Sequence, residues 1–258
     1  MSLPTPVKCI PSVTYKSFLL HLIAFSWSCF GTYKDQTVYN LPAFNSYGGR
    51  FQYLTLITAY LCLISYGLST LVDLIQIITG YLEDTVITKN GYKQSKSILI
   101  SIRDDLISFW CFTLSTFVAI MFWGIAAVDL KGIHTDEEEK VSPLFGWYNH
   151  YLHTTPILTV FILITNVNYG YSSFTKSIIY TITLGTSYLL WVNHLAKVTG
   201  NWVYPFMGKL TSTQYLIFCV FCHIVFFVIF LVGRKLSATV WNSDYKEKVI
   251  IDVEQKQM

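Results

Sequence analysis

Charge is what this sequence has least of. Only 13% of its 258 residues are Asp, Glu, Lys or Arg, against about 25% in an ordinary soluble domain. None lies between Lys16 and Lys34, Arg50 and Asp73, Asp105 and Asp129, Lys140 and Lys176, Lys176 and Lys197, or Lys209 and Arg234. The net charge is +3 with no basic block, which argues against a nucleic-acid partner. There is no N-x-S/T sequon, no repeat at a fixed period and no low-complexity tract. The six cysteines give no disulfide framework, because all but Cys9 fall in apolar stretches. Cys219 and Cys222 form a CxxC inside "LIFCVFCHIVFF", where two thiols read as small packing residues.

What is present is apolar. Hydrophobic residues make up 53% and aromatics 17% of the chain, and the mean hydropathy is +0.46. The expectation is an all-α polytopic membrane protein. Six spans of about 20 residues are predicted, the length that crosses roughly 30 Å of hydrocarbon. They fall at 17–33, 52–80, 105–128, 147–168, 174–195 and 211–233. The first is read as a retained helix, because no A-x-A-like cleavage site follows it. With the N-terminus inside, 12 of the 18 Lys and Arg residues fall on the inner side and 6 on the outer, so both termini are expected to be cytosolic. Residues 1–258 read as a single transmembrane domain, with 81–104 a polar inner loop and 240–258 a flexible cytosolic tail. Tyr47, Tyr53, Trp147, Tyr148, Tyr151, Trp191, Trp202 and Tyr204 crowd the outer ends of the spans and read as an interfacial belt.

Polar residues inside the spans are informative, because lipid offers them no partner. The stretch "GWYNHYLHTT" opens the fourth span. On a helix Asn149, His150 and His153 lie at 0°, about 100° and about 40°, hence on one face. In the second span Thr55, Thr58, Cys62, Tyr66, Ser69 and Asp73 recur at steps of three and four, a stripe expected to face the bundle interior. Near the outer end of the fifth span stand Asn193 and His194. The topology therefore puts Thr55, His150, His153 and His194 at similar depth below the outer surface. Asp73 is expected near the cytosolic side, pairing with Arg103.

The segments "YGGRFQYLTLI" (47–57), "LVDL" (71–74), "IRDDL" (102–106), "GWYNHYLHTT" (146–155) and "VTGNWVYPF" (198–206) resemble the androgen-induced-gene family, which includes the androgen-dependent TFPI-regulating protein. The resemblance runs over about residues 17–235. It implies a six-helix membrane hydrolase of fatty acid esters of hydroxy fatty acids, working through a threonine nucleophile and a histidine without metal or other cofactor. The family threonine matches Thr55, and the family histidine matches His153, with His150 beside it. One departure is Lys197, where relatives have histidine before "VTG"; His194 is displaced from that position.

The chemistry suits the residues. A threonine hydroxyl needs a neighbouring base to become nucleophilic, and histidine serves because its unperturbed pKa is near 6.5. No carboxylate lies at that depth in the second or fourth span, so a dyad is expected rather than a triad. Asp129, Asn149, His150 or His194 are candidates to orient His153 or to hold the oxyanion. Thr154 is a rival nucleophile. Lys197, Arg50 or Lys209 at the rim are candidates to pair with a substrate carboxylate. The partner expected is a lipid drawn from the bilayer, in the endoplasmic reticulum or plasma membrane. Two other readings stay open: a metal or haem protein with His150, His153 and His194 as ligands, and a small-molecule transporter using the Thr55-to-Asp73 stripe.

Overall fold

The computed structural model describes residues 13–80, 83–88, 91–129 and 136–255. The termini expected to be cytosolic, 1–12 and 256–258, and Cys9 with them, lie outside those residues. Helix α1 (Tyr15–Thr37) starts at a capping box in which Thr14 Oγ1 accepts from the Ser17 amide and Ser17 Oγ accepts from the Thr14 amide. Two 3-10 turns, Pro42–Asn45 and Gly49–Gln52, lead to α2 (Leu54–Thr79). Between them Gly48 has φ 95°. A Cβ there would also stand 2.7 Å from Leu195 Cδ2, so both backbone and packing require glycine.

The inner loop expected at 81–104 contains a small antiparallel hairpin, β1 (Glu83–Thr88) and β2 (Gly91–Lys96), with Glu83 opposite Lys96 and Thr88 opposite Gly91. Helix α3 (Ile98–Asp105), a π-helical turn (Leu106–Cys111) and α4 (Phe112–Asp129) then form one continuous rod. The short α5 (Asp136–Val141) precedes α6 (Trp147–His153) and α7 (Thr155–Asn166). Next come α8 (Phe174–Thr199), a 3-10 turn at Pro205–Lys209, and α9 (Ser212–Gln255).

Helices thus stand at all six expected positions, but not as six uniform rods. Leu54–Thr79, Ile98–Asp129 and Ser212–Trp241 are long and apolar enough to cross a membrane. The fourth predicted span is broken at Thr154. Pro156 lacks an amide hydrogen and tolerates only a first-turn position, so the chain starts a new helix there. The backbone described from 240 to 255, the expected tail, continues α9 as helix.

The α2 stripe faces inward as expected: Thr58, Cys62, Tyr66, Ser69 and Asp73 are all buried. Two of its hydroxyls return to the backbone, Thr58 to the Leu54 carbonyl and Ser69 to that of Ser65, the usual resort of Ser and Thr where water is absent. At the far end a charged cluster closes the bundle. Arg103 Nη1 donates to Asp73 Oδ1 at 2.9 Å, and Asp73 Oδ2 meets His21 Nδ1 at 2.9 Å. His21 Nε2 contacts the Tyr169 hydroxyl at 2.5 Å. Arg103 also pairs with Asp104, whose second oxygen accepts the Gly170 amide at 2.8 Å. These groups tie α1, α2, α3 and the segment after α7 together. Both carboxylates face the one Arg103 guanidinium, so no buried charge stands without a partner.

Asp73→Ala would leave the buried Arg103 and His21 without their shared acceptor. It is expected to cost about 3–5 kcal/mol, the usual loss on breaking a buried pair from one side. Thermal unfolding of the purified protein in detergent measures this, and a melt unchanged from wild type would show that the cluster is dispensable.

Candidate active site

Thr55 is the second residue of α2, and His153 is the last of α6. The two side chains meet: Thr55 Oγ1 and His153 Nε2 are 3.3 Å apart. His153 Nδ1 lies 3.1 Å from the Asn149 carbonyl oxygen, one turn back. A carbonyl only accepts, so Nδ1 carries the hydrogen and Nε2 faces the threonine as acceptor in the neutral ring. The imidazole is stacked on Phe122, with centroids 3.5 Å apart and planes inclined by 9°. Both its tilt and its tautomer are thereby set by the protein.

The pair opens onto a cavity enclosing about 1340 Å³ of empty space, its mouth included. The lining is predominantly apolar: Leu41, Phe44, Leu114, Phe117, Met121, Phe206 and Phe226 among others. Its apolar lining suits an acyl chain better than a small polar solute.

The neighbouring candidates separate into distinct roles. Asn149 lines the cavity, but its side-chain amide donates to the carbonyls of Ser142 and Pro143, which holds the α5–α6 connection. It is the backbone carbonyl of Asn149 that orients His153. His150 points elsewhere. Its Nδ1 contacts Thr154 Oγ1 at 3.1 Å and its ring stacks on Trp123, so the rival nucleophile Thr154 is paired with His150, outside the cavity lining. His194 is exposed, between Trp191 and the Tyr47 hydroxyl. His150, His153 and His194 therefore do not converge, and no group of three potential metal ligands occurs among the described residues. Asp129 pairs with Lys209 at 3.3 Å at the exposed rim. Lys197 is exposed and does not line the cavity. The Arg50 guanidinium is committed to Asp35 at 2.9 Å and to the backbone carbonyls of Asp35 and Tyr39.

Asp35, Tyr60 and Tyr188 shape the site and escaped the sequence reading. Asp35 is almost fully buried and accepts from Arg50, from the Tyr60 hydroxyl at 2.9 Å, and from the Tyr148 hydroxyl. Tyr148 and Tyr151 are accordingly buried rather than part of an interfacial belt. Tyr188 of α8 accepts the Leu54 amide at 2.9 Å, contacts the Tyr204 hydroxyl at 3.0 Å and donates to the Gln52 carbonyl. Burial holds the Tyr204 phenol above its ordinary range, so it stays protonated. The signal available in the sequence was an acid placed directly after the first span, with tyrosines near the outer ends of the second and fourth spans.

A family profile described as FAR-17a/AIG1-like protein matches residues 16–238. The chain belongs to this family. Human androgen-induced gene 1 protein is 28% identical over 205 residues, covering 79% of this chain and 82% of the relative. The androgen-dependent TFPI-regulating protein of Mesocricetus auratus is 29% identical over 232 residues, covering 88% and 93%. A membrane protein of Schizosaccharomyces pombe is 25% identical over 232 residues, covering 86% and 90%. No solved structure matches. With three helices of spanning length and apolarity and relatives covered nearly end to end, this FAR-17a/AIG1-like chain is a membrane protein.

Tyr148→Phe removes one donor from the buried Asp35 carboxylate. A loss of about 1.5–3 kcal/mol is expected, the scale of a hydrogen bond to a charged group. It is read as a lowered melting temperature in detergent; an unshifted melt would show that Asp35 does not depend on that donor.

Proposed function

We propose that this family member is an intramembrane lipid esterase. It cleaves the ester bond of fatty acid esters of hydroxy fatty acids, releasing a fatty acid and a hydroxy fatty acid. The single observation that carries the reading is the 3.3 Å approach of Thr55 Oγ1 to His153 Nε2 at the wall of an apolar cavity. The substrate class comes from the family resemblance in the motifs around those two residues.

In the proposed cycle His153 Nε2 accepts the hydroxyl proton of Thr55 as Oγ1 attacks the acyl carbonyl carbon. The tetrahedral oxyanion collapses and the C–O bond to the hydroxy fatty acid breaks. The departing alkoxide takes its proton from His153. Water then enters, gives a proton to His153, attacks the acyl-threonine and releases the fatty acid, with the proton returning to Thr55 Oγ1. Of the amides in the first turn of α2, Leu54 donates to Tyr188 and Ile57 to the Tyr53 carbonyl. The amides of Thr55 and Leu56 are the nearest backbone donors left for the oxyanion, at the positive end of a helix. The orienting group for His153 is then a backbone carbonyl, and the machinery is a dyad without a carboxylate.

The same reading places six spans across the bilayer with both termini cytosolic, in the endoplasmic reticulum or plasma membrane. Thr55 and His153 would then stand below the outer leaflet surface, where an ester bond between two acyl chains lies. Lipid substrate enters from the bilayer.

Thr55→Ala and His153→Ala are each expected to lower ester hydrolysis by about 10²–10⁴-fold, the usual contribution of a positioned base and its nucleophile. Thr55→Ala should also abolish labelling by a fluorophosphonate probe. Labelling that persists in Thr55→Ala removes the threonine from the mechanism, and full activity in His153→Ala removes the base.

A further inference from the structure

The cavity has a second polar pole, which the catalytic proposal does not use. His223 of α9 and Thr181 of α8 both line it. His223 Nδ1 lies 2.8 Å from the Cys219 carbonyl, one turn back. As with His153, a carbonyl acceptor on Nδ1 leaves Nε2 as the acceptor of the neutral ring, and among the described residues Nε2 has no hydrogen-bond partner. The ring lies against Gly185, where a Cβ would stand 2.5 Å from Nε2. Only glycine leaves room for it.

Thr181 is one turn before Gly185 on the same face of α8. The residue is 4% exposed, and Oγ1 is buried with no hydrogen-bond partner among the described residues. Thr58, Thr70, Thr79 and Thr199 return their hydroxyls to the carbonyl four residues back; Thr181, like Thr32, Thr113 and Thr116, does not, and of these four it alone lines the cavity. Leaving a buried hydroxyl unpaired is costly, so a group entering the cavity is the natural partner.

We infer that His223 and Thr181 form a subsite for an oxygen function carried on the substrate's acyl chain, remote from the scissile ester. A bare ring nitrogen and an unpaired hydroxyl lining one cavity match a group that both donates and accepts: an alcohol or an un-ionised carboxyl. A methyl terminus gains nothing there. The spacing suits this. Tyr188, whose hydroxyl touches the amide next to Thr55, is seven residues along α8 from Thr181, about 10 Å at the helical rise. That is the reach of a medium-length methylene chain, and the wall between is apolar, with Leu114, Phe117 and Leu184. The inference rests on the esterase reading for the identity of the substrate, but not for the existence of the subsite.

The test compares hydrolysis by the full-length protein of three esters matched in chain length. One carries a remote hydroxyl, one a remote carboxyl, and one a plain alkyl end. The readout is the ratio of kcat/KM for each polar ester to that for the plain one, so a general loss of activity in a variant does not count. Wild type is expected to favour at least one polar ester by roughly tenfold, the effect of about one buried hydrogen bond. Which of the two is favoured identifies the function recognised. His223→Phe and Thr181→Val should bring the ratio close to one, and His223→Gln, which keeps an acceptor, should restore part of it. A wild-type ratio near one means that the subsite holds only water, and overturns the inference. So does a ratio retained in both His223→Phe and Thr181→Val. If wild type hydrolyses none of the three esters, the esterase reading fails by itself. The subsite is then tested by melting temperature: hydroxystearic acid should raise that of wild type more than that of His223→Phe, and an equal rise overturns it.

Discussion

The carboxylate of Asp35 joins the two helices whose meeting makes the candidate site. It belongs to α1, yet it is satisfied by Tyr60 from α2, by Tyr148 from α6 and by Arg50 from the turn between α1 and α2. Thr55 stands little more than one turn from Tyr60, and His153 five residues after Tyr148. A buried carboxylate cannot remain unpaired, so these donors must converge on it. Their convergence sets the distance between the start of α2 and the end of α6. The 3.3 Å contact of Thr55 with His153 is a consequence of that closure.

At the opposite end of the bundle the same principle acts through Asp73, Arg103, His21 and Asp104. One charged cluster stands near each end of α2, and between them the middle of the bundle is largely apolar. It packs through Ala24, Cys62, Ile107, Val160 and Ile164. The cavity lies between α2, α4, α6, α8 and α9. Its two histidines are presented in one way: each commits Nδ1 to the carbonyl four residues earlier and turns Nε2 inward. One meets a threonine hydroxyl at the mouth. The other lines the cavity together with Thr181, whose hydroxyl has no partner among the described residues.

Much of this was legible before any coordinates. The charge-free windows located the helices, because only apolar segments tolerate hydrocarbon. The three-and-four spacing of Thr58, Cys62, Tyr66, Ser69 and Asp73 gave the buried face of α2. The pairing of Asp73 with Arg103 followed from both being charged at one depth. Depth, however, is a single coordinate. His150 and His194 are expected at the depth of Thr55 and still point away from it, because rotation about each helix axis is fixed by packing rather than by topology. Asp35 was overlooked because it sits just past a span, where an acid is ordinarily solvated, and Tyr148 was assigned to the interface for the same reason.

The sequence by itself determined which segments are helical, which face of α2 is polar, and that a threonine and a histidine stand near one surface. Local periodicity and the exclusion of charge from hydrocarbon suffice for that. Only the tertiary structure decided that Thr55 and His153 touch, that a backbone carbonyl rather than a side chain orients the ring, and that His223 and Thr181 face the same cavity. Those facts depend on side chains from helices far apart in the chain. Their relative rotation is set by buried ion pairs and by close contacts such as Gly185 against His223, which no local pattern encodes.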